Sequence, residues 1–416
     1  MELTKVKLSD VARVEISGVD KKSKPGQKSV RLCNFVDVYH NWAITQDMRD
    51  SFMEATASDK EIEALSIKKG QVAFTKDSET RDDIGIPTYI ADDFDDVVLG
   101  YHNALITPDE RKLNGKYLNA FMHSSYIQKY FENNASGSGQ RYTLSNDTVN
   151  SIPILLPTIK EQEKIGNLFS FIDRKIALNK KMNQKLEAMA KRLYDYWFVQ
   201  FDFPDKNGHP YKTTGGPMTY NPTLKCEIPA GWEVKSLFDC SDVLYGFPYA
   251  TEPFDEENLD ASTKPYPVIR IRDIKDNTIS AKTTEAVDDK YRTKVNDLLI
   301  GMDGYFHMSF WPRNDDYVNQ RITRIRQKEL SVMVIYHQIA PFIKFKEDQA
   351  KGSTVGHLSD KDMKQINILV PNNLRLSEKF DSILNLITKN KQEISRLTKL
   401  RDKLLPLLMN GQVEVK

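Results

Sequence analysis

Two long stretches of the chain carry apolar residues at alternating steps of three and four, which is typical of coiled-coil helices. The first would run from Lys160 to Tyr196 and measure about 55 Å at the α-helical rise. An apolar stripe that long needs a partner of similar length, so the two helices are predicted to form an antiparallel pair. The stripe positions are Ile165, Leu168, Ile172, Ile176, Asn179, Met182, Leu186, Met189 and Leu193, then Phe380, Ile383, Ile387, Ile394, Leu397, Leu400, Leu404 and Leu408.

The region before each helix consists of short β-branched and aromatic runs between turn residues, a pattern that predicts strands. Residues 144–157, which end the first such region, are echoed by residues 358–371 at a constant offset of 214. The chain is therefore predicted to be a two-fold repeat of roughly 200 residues per unit. The predicted fold class is α+β, with two strand-rich domains that are each followed by a long helix. The expected segments are a first domain at 1–157, a first helix at 158–200, a connector at 201–230, a second domain at 231–371, and a second helix with tail at 372–416.

The start of the connector is unusually aromatic, from Tyr194 to Pro204. The favoured interpretation is a packed plug over the end of the helix pair, because buried aromatic rings contribute large apolar areas. The alternative is an exposed docking patch for a partner protein.

Charge and cysteine content narrow the class of protein. The 59 Lys and Arg residues balance 58 Asp and Glu residues to a net charge of +1, so affinity for nucleic acid must come from local patches. Three cysteines without a CxxC pair disfavour a disulfide framework and a cysteine-rich zinc site. No apolar signal core and no apolar run near ~18 residues occur, which predicts a cytoplasmic protein without membrane contact.

Motifs of catalysis are missing. The chain contains no GxxxxGK[ST] phosphate loop, no GxGxxG at a strand-to-helix turn, no HExxH and no GxSxG. Asn221-Pro222-Thr223-Leu224 lacks the second proline and the aromatic of amino-methyltransferase motifs, so a turn is favoured. Adjacent acids, such as Asp92-Asp93 and Asp315-Asp316, are typical of solvated loops rather than metal sites. We therefore expect a protein that is not an enzyme and that binds no cofactor or metal itself.

Polar groups suited to DNA recur at similar places in both repeats. Arginine pairs bidentately with phosphate or guanine, glutamine pairs with adenine, and glycine allows close approach to a backbone. Arg324 and Arg326, at i and i+2, are predicted to share one strand face. The candidate DNA-binding residues are Gln140, Arg141 and Tyr142 in the first repeat, and Gly304, Tyr305, Gln320, Arg321, Arg324, Arg326, Ser353, Thr354 and His357 in the second.

The joint order of these motifs resembles the specificity subunit of type I restriction–modification systems. The resemblance extends over essentially the whole chain. It departs at Ser377-Glu378, where the first repeat has Glu161-Gln162. The residues that carry it are Gly139-Gln140, Leu144-Ser145, Ile152-Pro153-Ile154, Leu156-Pro157, Glu161-Gln162, Ile165, Leu193–Pro204, Glu227–Val234, Gly246–Tyr249, Gly301–Gly304, Asn319–Arg321, Gly352–Thr354 and Leu404–Gly411.

The resemblance implies that each domain reads one half of a split, asymmetric target on double-stranded DNA. It also implies partners: methyltransferase subunits that pack on the helices, and restriction or translocase subunits. S-adenosylmethionine, ATP and magnesium would then act on those partners. Two other interpretations stay open, a DNA adenine methyltransferase-related or fused enzyme, and a coiled-coil scaffold that binds protein alone.

Overall fold

The structure, a computed structural model, describes residues 2–137, 140–249, 265–350 and 356–415. The chain divides into two units. The first contains residues 1–177 and 396–416, and the second contains residues 178–395. Both division points fall inside long helices, so each long helix contributes residues to both units. The units are described separately below.

The first unit is rich in short strands. Its strands are β1 (Thr4–Lys7), β2 (Ala12–Ile16), β3 (Lys28–Cys33), β4 (Ala43–Ile44), β5 (Met53–Ala57), β6 (Val72–Thr75), β7 (Asp77–Ser78), β8 (Pro87–Ile90), β9 (Val97–Leu99), β10 (Asn103–Pro108), β11 (Ser136–Gly137), β12 (Tyr142–Thr143) and β13 (Pro153–Leu156). Its short helices are α1 (Phe35–His40), α2 (Asp59–Leu65), α3 (Gly115–Met122), α4 (Ser125–Asn134) and α5 (Asn146–Asn150). The first long helix, α6 (Ile159–Tyr194), follows them.

The described residues of this unit form four sheets. The largest has the order β2-β10-β6-β8-β4, and its pairs are antiparallel except β4 with β8. A second sheet, β5-β3-β9, contains one antiparallel and one parallel pair. A third joins β11, β12 and β7. Strand β1 pairs antiparallel with β13, which ties the start of the domain to the strand just before α6.

The second unit repeats this plan with fewer strands. Its strands are β14 (Met218–Asn221), β15 (Cys226–Pro229), β16 (Glu233–Ser236), β17 (Ser241–Tyr245), β18 (Tyr266–Ile269), β19 (Ala281–Thr283), β20 (Leu298–Gly301), β21 (Met308–Phe310), β22 (Tyr317–Val318), β23 (Ile322–Gln327) and β24 (Asn367–Val370). Its helices are α7 (Leu237–Cys240), α8 (Ile271–Ile274), α9 (Val332–Ala350), α10 (Asp360–Lys364) and α11 (Arg375–Met409).

Three sheets of the second unit correspond to sheets of the first. The order β17-β23-β20-β21 corresponds to β2-β10-β6-β8, and β19-β18-β22 corresponds to β5-β3-β9, including its one parallel pair. The antiparallel pair β16-β24 corresponds to β1-β13. A separate hairpin, β14-β15, precedes this repeat. The predicted internal repeat is therefore a repeat of topology as well as of sequence.

Helix α6 begins after Pro157 because Thr158 and Glu161 cap its N-terminus reciprocally. The Glu161 backbone N–H donates to Thr158 Oγ1 at 3.4 Å, and the Thr158 backbone N–H donates to Glu161 Oε2 at 2.9 Å. The next residue, Gln162, is buried and bonds the backbone of Asn114, Lys112 and Pro157. This glutamine fixes the start of the long helix to the domain that precedes it.

The two long helices pack against each other inside each unit. In the first unit, Ile165 and Phe169 of α6 share a buried core with the last turns of α11. In the second unit, Asn183 Nδ2 donates to the Ile387 carbonyl at 3.2 Å, and Asn390 Nδ2 donates to Asn183 Oδ1 at 2.8 Å. Further along the chain, the Phe198 ring contacts Phe380, which lies earlier in α11, so the pair is antiparallel. The predicted fold class is confirmed.

The predicted stripe is wrong at three positions. Met182, Met189 and Leu400 are 50%, 45% and 39% exposed. On α6 the buried positions continue instead through Asn183 and Ala190. The sequence pattern chose the larger apolar residue at each step, whereas the helix buries a neighbouring small or polar one.

The aromatic connector is packed, as the favoured interpretation predicted. Phe198, Phe201 and Phe203 are buried, and the Phe203 ring stacks on Trp232 at 4.9 Å between centroids. Tyr196 and Val199 remain exposed. The segment from Asn221 to Leu224 is a turn between β14 and β15, closed by hydrogen bonds to Asn221 Oδ1. Among the described residues, no helix combines the length and apolar character that crossing a membrane requires.

Candidate nucleic-acid interface

Three segments of the second unit meet just beyond the end of β20. The backbone N–H of Met302 donates to the Arg321 carbonyl at 3.0 Å, and the N–H of Leu358 donates to the Met302 carbonyl at 2.8 Å. Asp303 forms a β-bridge with His357. We call Met302, Asp303, Arg321, His357 and Leu358 the second junction.

The first unit builds the same arrangement beyond β6, the strand that corresponds to β20. The backbone N–H of Lys76 donates to the His102 carbonyl at 2.8 Å, and the N–H of Leu144 donates to the Lys76 carbonyl at 3.0 Å. Asp77 pairs with Thr143 as Asp303 pairs with His357. We call Lys76, Asp77, His102, Thr143 and Leu144 the first junction. The two junctions share their backbone hydrogen bonds and an aspartate at the same position.

In the second junction the aspartate holds a histidine and an arginine. His357 Nδ1 lies 2.6 Å from Asp303 Oδ1, and Arg321 Nε lies 3.3 Å from Asp303 Oδ2. Gly304 follows with φ +71°, a left-handed conformation that suits glycine, and open space where a Cβ would be. Beside it the Tyr305 ring is 70% exposed and stacks on His307 at 5.7 Å between centroids. Phe306 is buried.

In the first junction the aspartate reaches an arginine through a histidine. His102 Nδ1 lies 2.5 Å from Asp77 Oδ2, and Arg141 Nη2 lies 2.8 Å from His102 Nε2. Arginine can only donate, so Nε2 accepts and the ring proton sits on Nδ1, where it donates to Asp77. Burial raises the pKa of Asp77, but hydrogen bonds from Thr143 and His102 and the charge of Lys76 outweigh it, so the pKa is lowered.

Most candidate residues lie at these junctions. Arg321, Gly304, Tyr305 and His357 are exposed at the second, and Gln140 and Arg141 are exposed at the first. Tyr142 is half-buried, with the Arg81 guanidinium 5.2 Å above its ring. Ser353 and Thr354 lie outside the described residues. The role of all these residues in binding DNA stays a prediction.

Gln320 is exposed beside the second junction. Its position depends on close contact between its own backbone and the backbone of the 246–249 loop. Its backbone N–H donates to the Phe247 carbonyl at 2.9 Å. A Cβ on the neighbouring Gly246 would lie 2.1 Å from the Asn319 carbonyl oxygen. Glycine at 246 is therefore required for this contact, which brings the 246–249 loop against Asn319-Gln320.

Arg324 and Arg326 do not present free guanidinium groups in this structure. Arg324 is 2% exposed and donates through Nη2 to Asp242 at 2.9 Å. Arg326 donates to both carboxylate oxygens of buried Asp297, at 2.8 and 2.7 Å, and to the Arg292 carbonyl. They share a strand face, as i and i+2 residues must, but that face is turned toward the protein's own acids. Burial lowers the pKa of Arg326, but its hydrogen bonds to Asp297 and the negative charge of that acid outweigh burial, so the pKa is raised and the group stays charged.

The residues that the sequence pattern missed are Asp77, His102 and Asp303. They are distant along the chain from the groups that they hold, and among them only Asp303 lies in a stretch, Gly301–Gly304, that carries the family resemblance. The repeat offered a signal, because both aspartates follow equivalent strands.

No site for a metal is formed by the acids of the described ranges, where no cluster of three or more ligand-type side chains occurs. The adjacent acids instead bind protein groups. Asp96 pairs with Arg49 Nε at 2.9 Å, Asp83 accepts from the Tyr39 hydroxyl at 2.8 Å, and Asp316 accepts from Trp311 Nε1 at 2.8 Å.

Comparisons with known proteins agree with this architecture. The family model for the type I restriction modification DNA specificity domain matches the chain twice, over residues 2–188 and 229–399. The chain is 24% identical over 409 residues to the type I restriction enzyme HindI specificity subunit of Haemophilus influenzae, covering 84% of this chain and 87% of that protein. It is 26% identical over 319 residues to the MjaIX specificity subunit of Methanocaldococcus jannaschii, covering 72% and 69%.

A solved structure shows the same fold. The type I restriction–modification S subunit from M. genitalium aligns over 98% of this chain and 96% of its own, with a TM-score of 0.57 and 16% identity. The two family matches together cover most of the sequence, one on each structural repeat. The chain therefore belongs to the type I restriction–modification DNA specificity family.

Proposed function

We propose that this chain is the DNA-recognition subunit of a type I restriction–modification complex. Each unit reads one half of a split DNA target, and the chain directs adenine methylation or cleavage that partner subunits carry out. The observation that carries this proposal is the pair of junctions, which have one backbone framework and different exposed side chains. Because the first offers Arg141 and the second offers Arg321, Tyr305 and His357, the two target halves differ in sequence.

Chemistry belongs to the partners in this proposal. S-adenosylmethionine, ATP and magnesium act on the methyltransferase and restriction subunits, and this chain supplies contacts to bases and phosphates. Affinity is shared with those partners, in keeping with a net charge of only +1. The experiment that tests the function is methylome sequencing of cells with and without this chain. We expect one bipartite adenine-methylated sequence to disappear when the chain is deleted and to return on complementation.

The isolated protein is expected to transfer no methyl group. A purified preparation would be incubated with DNA and radiolabelled S-adenosylmethionine, alone and together with its methyltransferase subunits. Label should enter DNA only when those subunits are present. Incorporation by the chain alone, in a preparation shown by mass spectrometry to be free of partners, would contradict the assignment of chemistry to other subunits.

Helix α6 offers an apolar surface for the methyltransferase partner. Within the second unit, Leu178, Met182 and Met189 are 53%, 50% and 45% exposed on this helix. Steps of four and seven place them on one side of it. Exposed apolar residues in a row are typical of protein interfaces rather than of solvated helix faces. Two basic residues of the long helices contact other groups of the chain: Lys191 pairs with Asp195, and Arg401 lies over Trp42.

Replacing Met182 with glutamate is expected to weaken assembly with the methyltransferase subunit, because a buried carboxylate at the interface lacks a partner. We expect a loss of about tenfold or more in affinity, consistent with a hot-spot residue. The measurement is co-purification and calorimetric titration of the two proteins. The matched control is Gln184→Glu, which adds the same charge at an exposed position on another side of α6. Equal effects of the two changes would remove Met182 from the interface.

A further inference from the structure

We infer that Asp77 and Asp303 are positioning residues that set the sequence preference of the two DNA-reading units, each by holding an arginine in a fixed orientation. The inference rests on the proposed function and names the residues that give it specificity. Asp303 acts on Arg321 directly. Asp77 acts on Arg141 through His102.

The two acids occupy equivalent positions in the two junctions. Of the five residues in each junction, only the aspartate and the leucine are the same in both. The leucines, Leu144 and Leu358, are fully buried and belong to the cores. The side chains of Asp77 and Asp303 are 12% and 27% exposed, and both pair with polar side chains of their junctions. Core packing therefore accounts for the leucines and leaves the shared aspartate unexplained.

The negative charge of the two acids is unfavourable at a DNA-binding surface. A carboxylate close to DNA is repelled by phosphates, so an acid at this surface needs a compensating use. Asp303 pairs with the exposed Arg321, and Asp77 reaches the exposed Arg141 through His102. Arg321 is 54% exposed, and its Nε edge meets Asp303. Within the part of the chain that the structure describes, its guanidinium has no other partner, so its terminal nitrogens face outward.

Base reading by arginine depends on the orientation of its guanidinium group. Arginine reads guanine through two parallel N–H donors, which requires that the planar group be held in one orientation. The ion pair between Arg321 Nε and Asp303 restrains the guanidinium on its inner edge. In the first junction the guanidinium of Arg141 is restrained at Nη2 instead, and through a histidine rather than directly by the acid. Asp77 fixes the tautomer of His102, whose Nε2 then accepts from Arg141. Both arginines are pre-organised before DNA arrives, which reduces the entropy lost on binding.

This role predicts an unusual sign for mutation. Removing the carboxylate takes away a negative charge that repels phosphates, so affinity for arbitrary DNA should stay the same or rise. It also frees the arginine, so discrimination between correct and incorrect base pairs should fall. A merely structural residue would lower binding to all sequences together and would lower the unfolding temperature.

The experiment uses the assembled complex of this chain with its methyltransferase subunits. Equilibrium binding would be measured by fluorescence anisotropy on the cognate duplex and on a set carrying every single base-pair change. For Asp303→Asn we expect discrimination to fall about tenfold at one or two positions of one half-site. For Asp77→Asn we expect the same at the other half-site. Asp303→Glu should recover part of the discrimination, because the longer carboxylate can still reach Arg321.

Matched controls break exposed aspartate–arginine pairs away from the junctions. These are Asp289→Asn, whose partner is Arg292 at 3.0 Å in the second unit, and Asp109→Asn, whose partner is Arg111 in the first. Neither should change discrimination. The double variant Asp303→Asn with Arg321→Ala should be no less discriminating than Arg321→Ala alone, because both changes remove one shared interaction.

The possible results separate two failures. If the unsubstituted complex prefers no sequence, the proposed function is wrong and the inference falls with it. If it prefers one sequence and both aspartate variants keep full discrimination, or lose binding equally on every duplex, only the inference is overturned. A loss at both half-sites from one substitution overturns it as well, because each aspartate belongs to a single unit.

Discussion

Replacing Asp297 with alanine is expected to destabilise the second unit by about 3–5 kcal/mol, because the change leaves buried cations without their counter-charge. The Asp297 carboxylate is 1% exposed, and both of its oxygens accept hydrogen bonds from Arg326. It also accepts the backbone N–H of Lys294 at 2.7 Å, and Arg324 Nη1 lies 4.0 Å away. Arg324 is itself buried, and its Nη2 donates to Asp242 at 2.9 Å. Removing Asp297 therefore takes the counter-charge from half-buried Arg326 and leaves buried Arg324 with the Asp242 carboxylate, which is 46% exposed.

Urea unfolding followed by tryptophan fluorescence measures this loss, since buried Trp311 lies in the same unit. Asp289→Ala is the control, because Asp289 is 84% exposed in its pair with Arg292 and such pairs contribute at most about 1 kcal/mol. If Asp297→Ala lowers the free energy of unfolding no more than the control does, the ion pair of Asp297 with Arg326 does not stabilise the unit. Arg326 would then return to the set of candidate DNA ligands.

The architecture was predictable from the sequence because two of its features are periodic. The repeat of residues 144–157 at 358–371 identified two equivalent domains, and the steps of three and four identified α6 and α11. What the pattern could not predict was which neighbouring residue faces inward. Met182 and Asn183 are adjacent, and the helix buries the asparagine because it bonds Ile387 and Asn390 across the pair. A hydrophobicity pattern assigns such a position to the wrong side.

The candidate site was predictable in part, for a different reason. Arg321, Tyr305 and His357 were chosen for their chemistry, and the fold brings them to one junction. Arg324 and Arg326 have the same chemistry, yet the fold turns them toward Asp242 and Asp297. Alternation along a strand says which side chains share a face, but the identity of that face depends on partners far away in sequence. The same distance concealed Asp77 and Asp303, which gain meaning only from the groups that reach them.

The final turns of α11 belong to the first unit, which changes how its domain can be exchanged. Leu405, Leu408 and Met409 are buried in the core that contains Ile165 and Phe169. The Arg401 guanidinium lies 5.0 Å above the Trp42 ring. The Trp42 ring also stacks on the His123 ring, with 4.0 Å between the ring centroids. Burial and the charge of Arg401 lower the pKa of His123 to about 3. The end of the chain is thus part of the first domain's packing.

Exchanging residues 2–157 together with 396–416 for those of another family member is expected to replace one half of the methylated target and leave the other half unchanged. Exchanging 2–157 alone should give the same new half-site, if any, but a less stable protein. The new domain would meet foreign side chains at 405, 408 and 409, and mismatched core packing costs about 1–3 kcal/mol. Methylome sequencing reads the target, and urea unfolding reads the stability. A change in both target halves from either exchange would contradict independent reading by the two units. Equal stability of the two chimaeras would show that the end of α11 contributes no specific packing to the first domain.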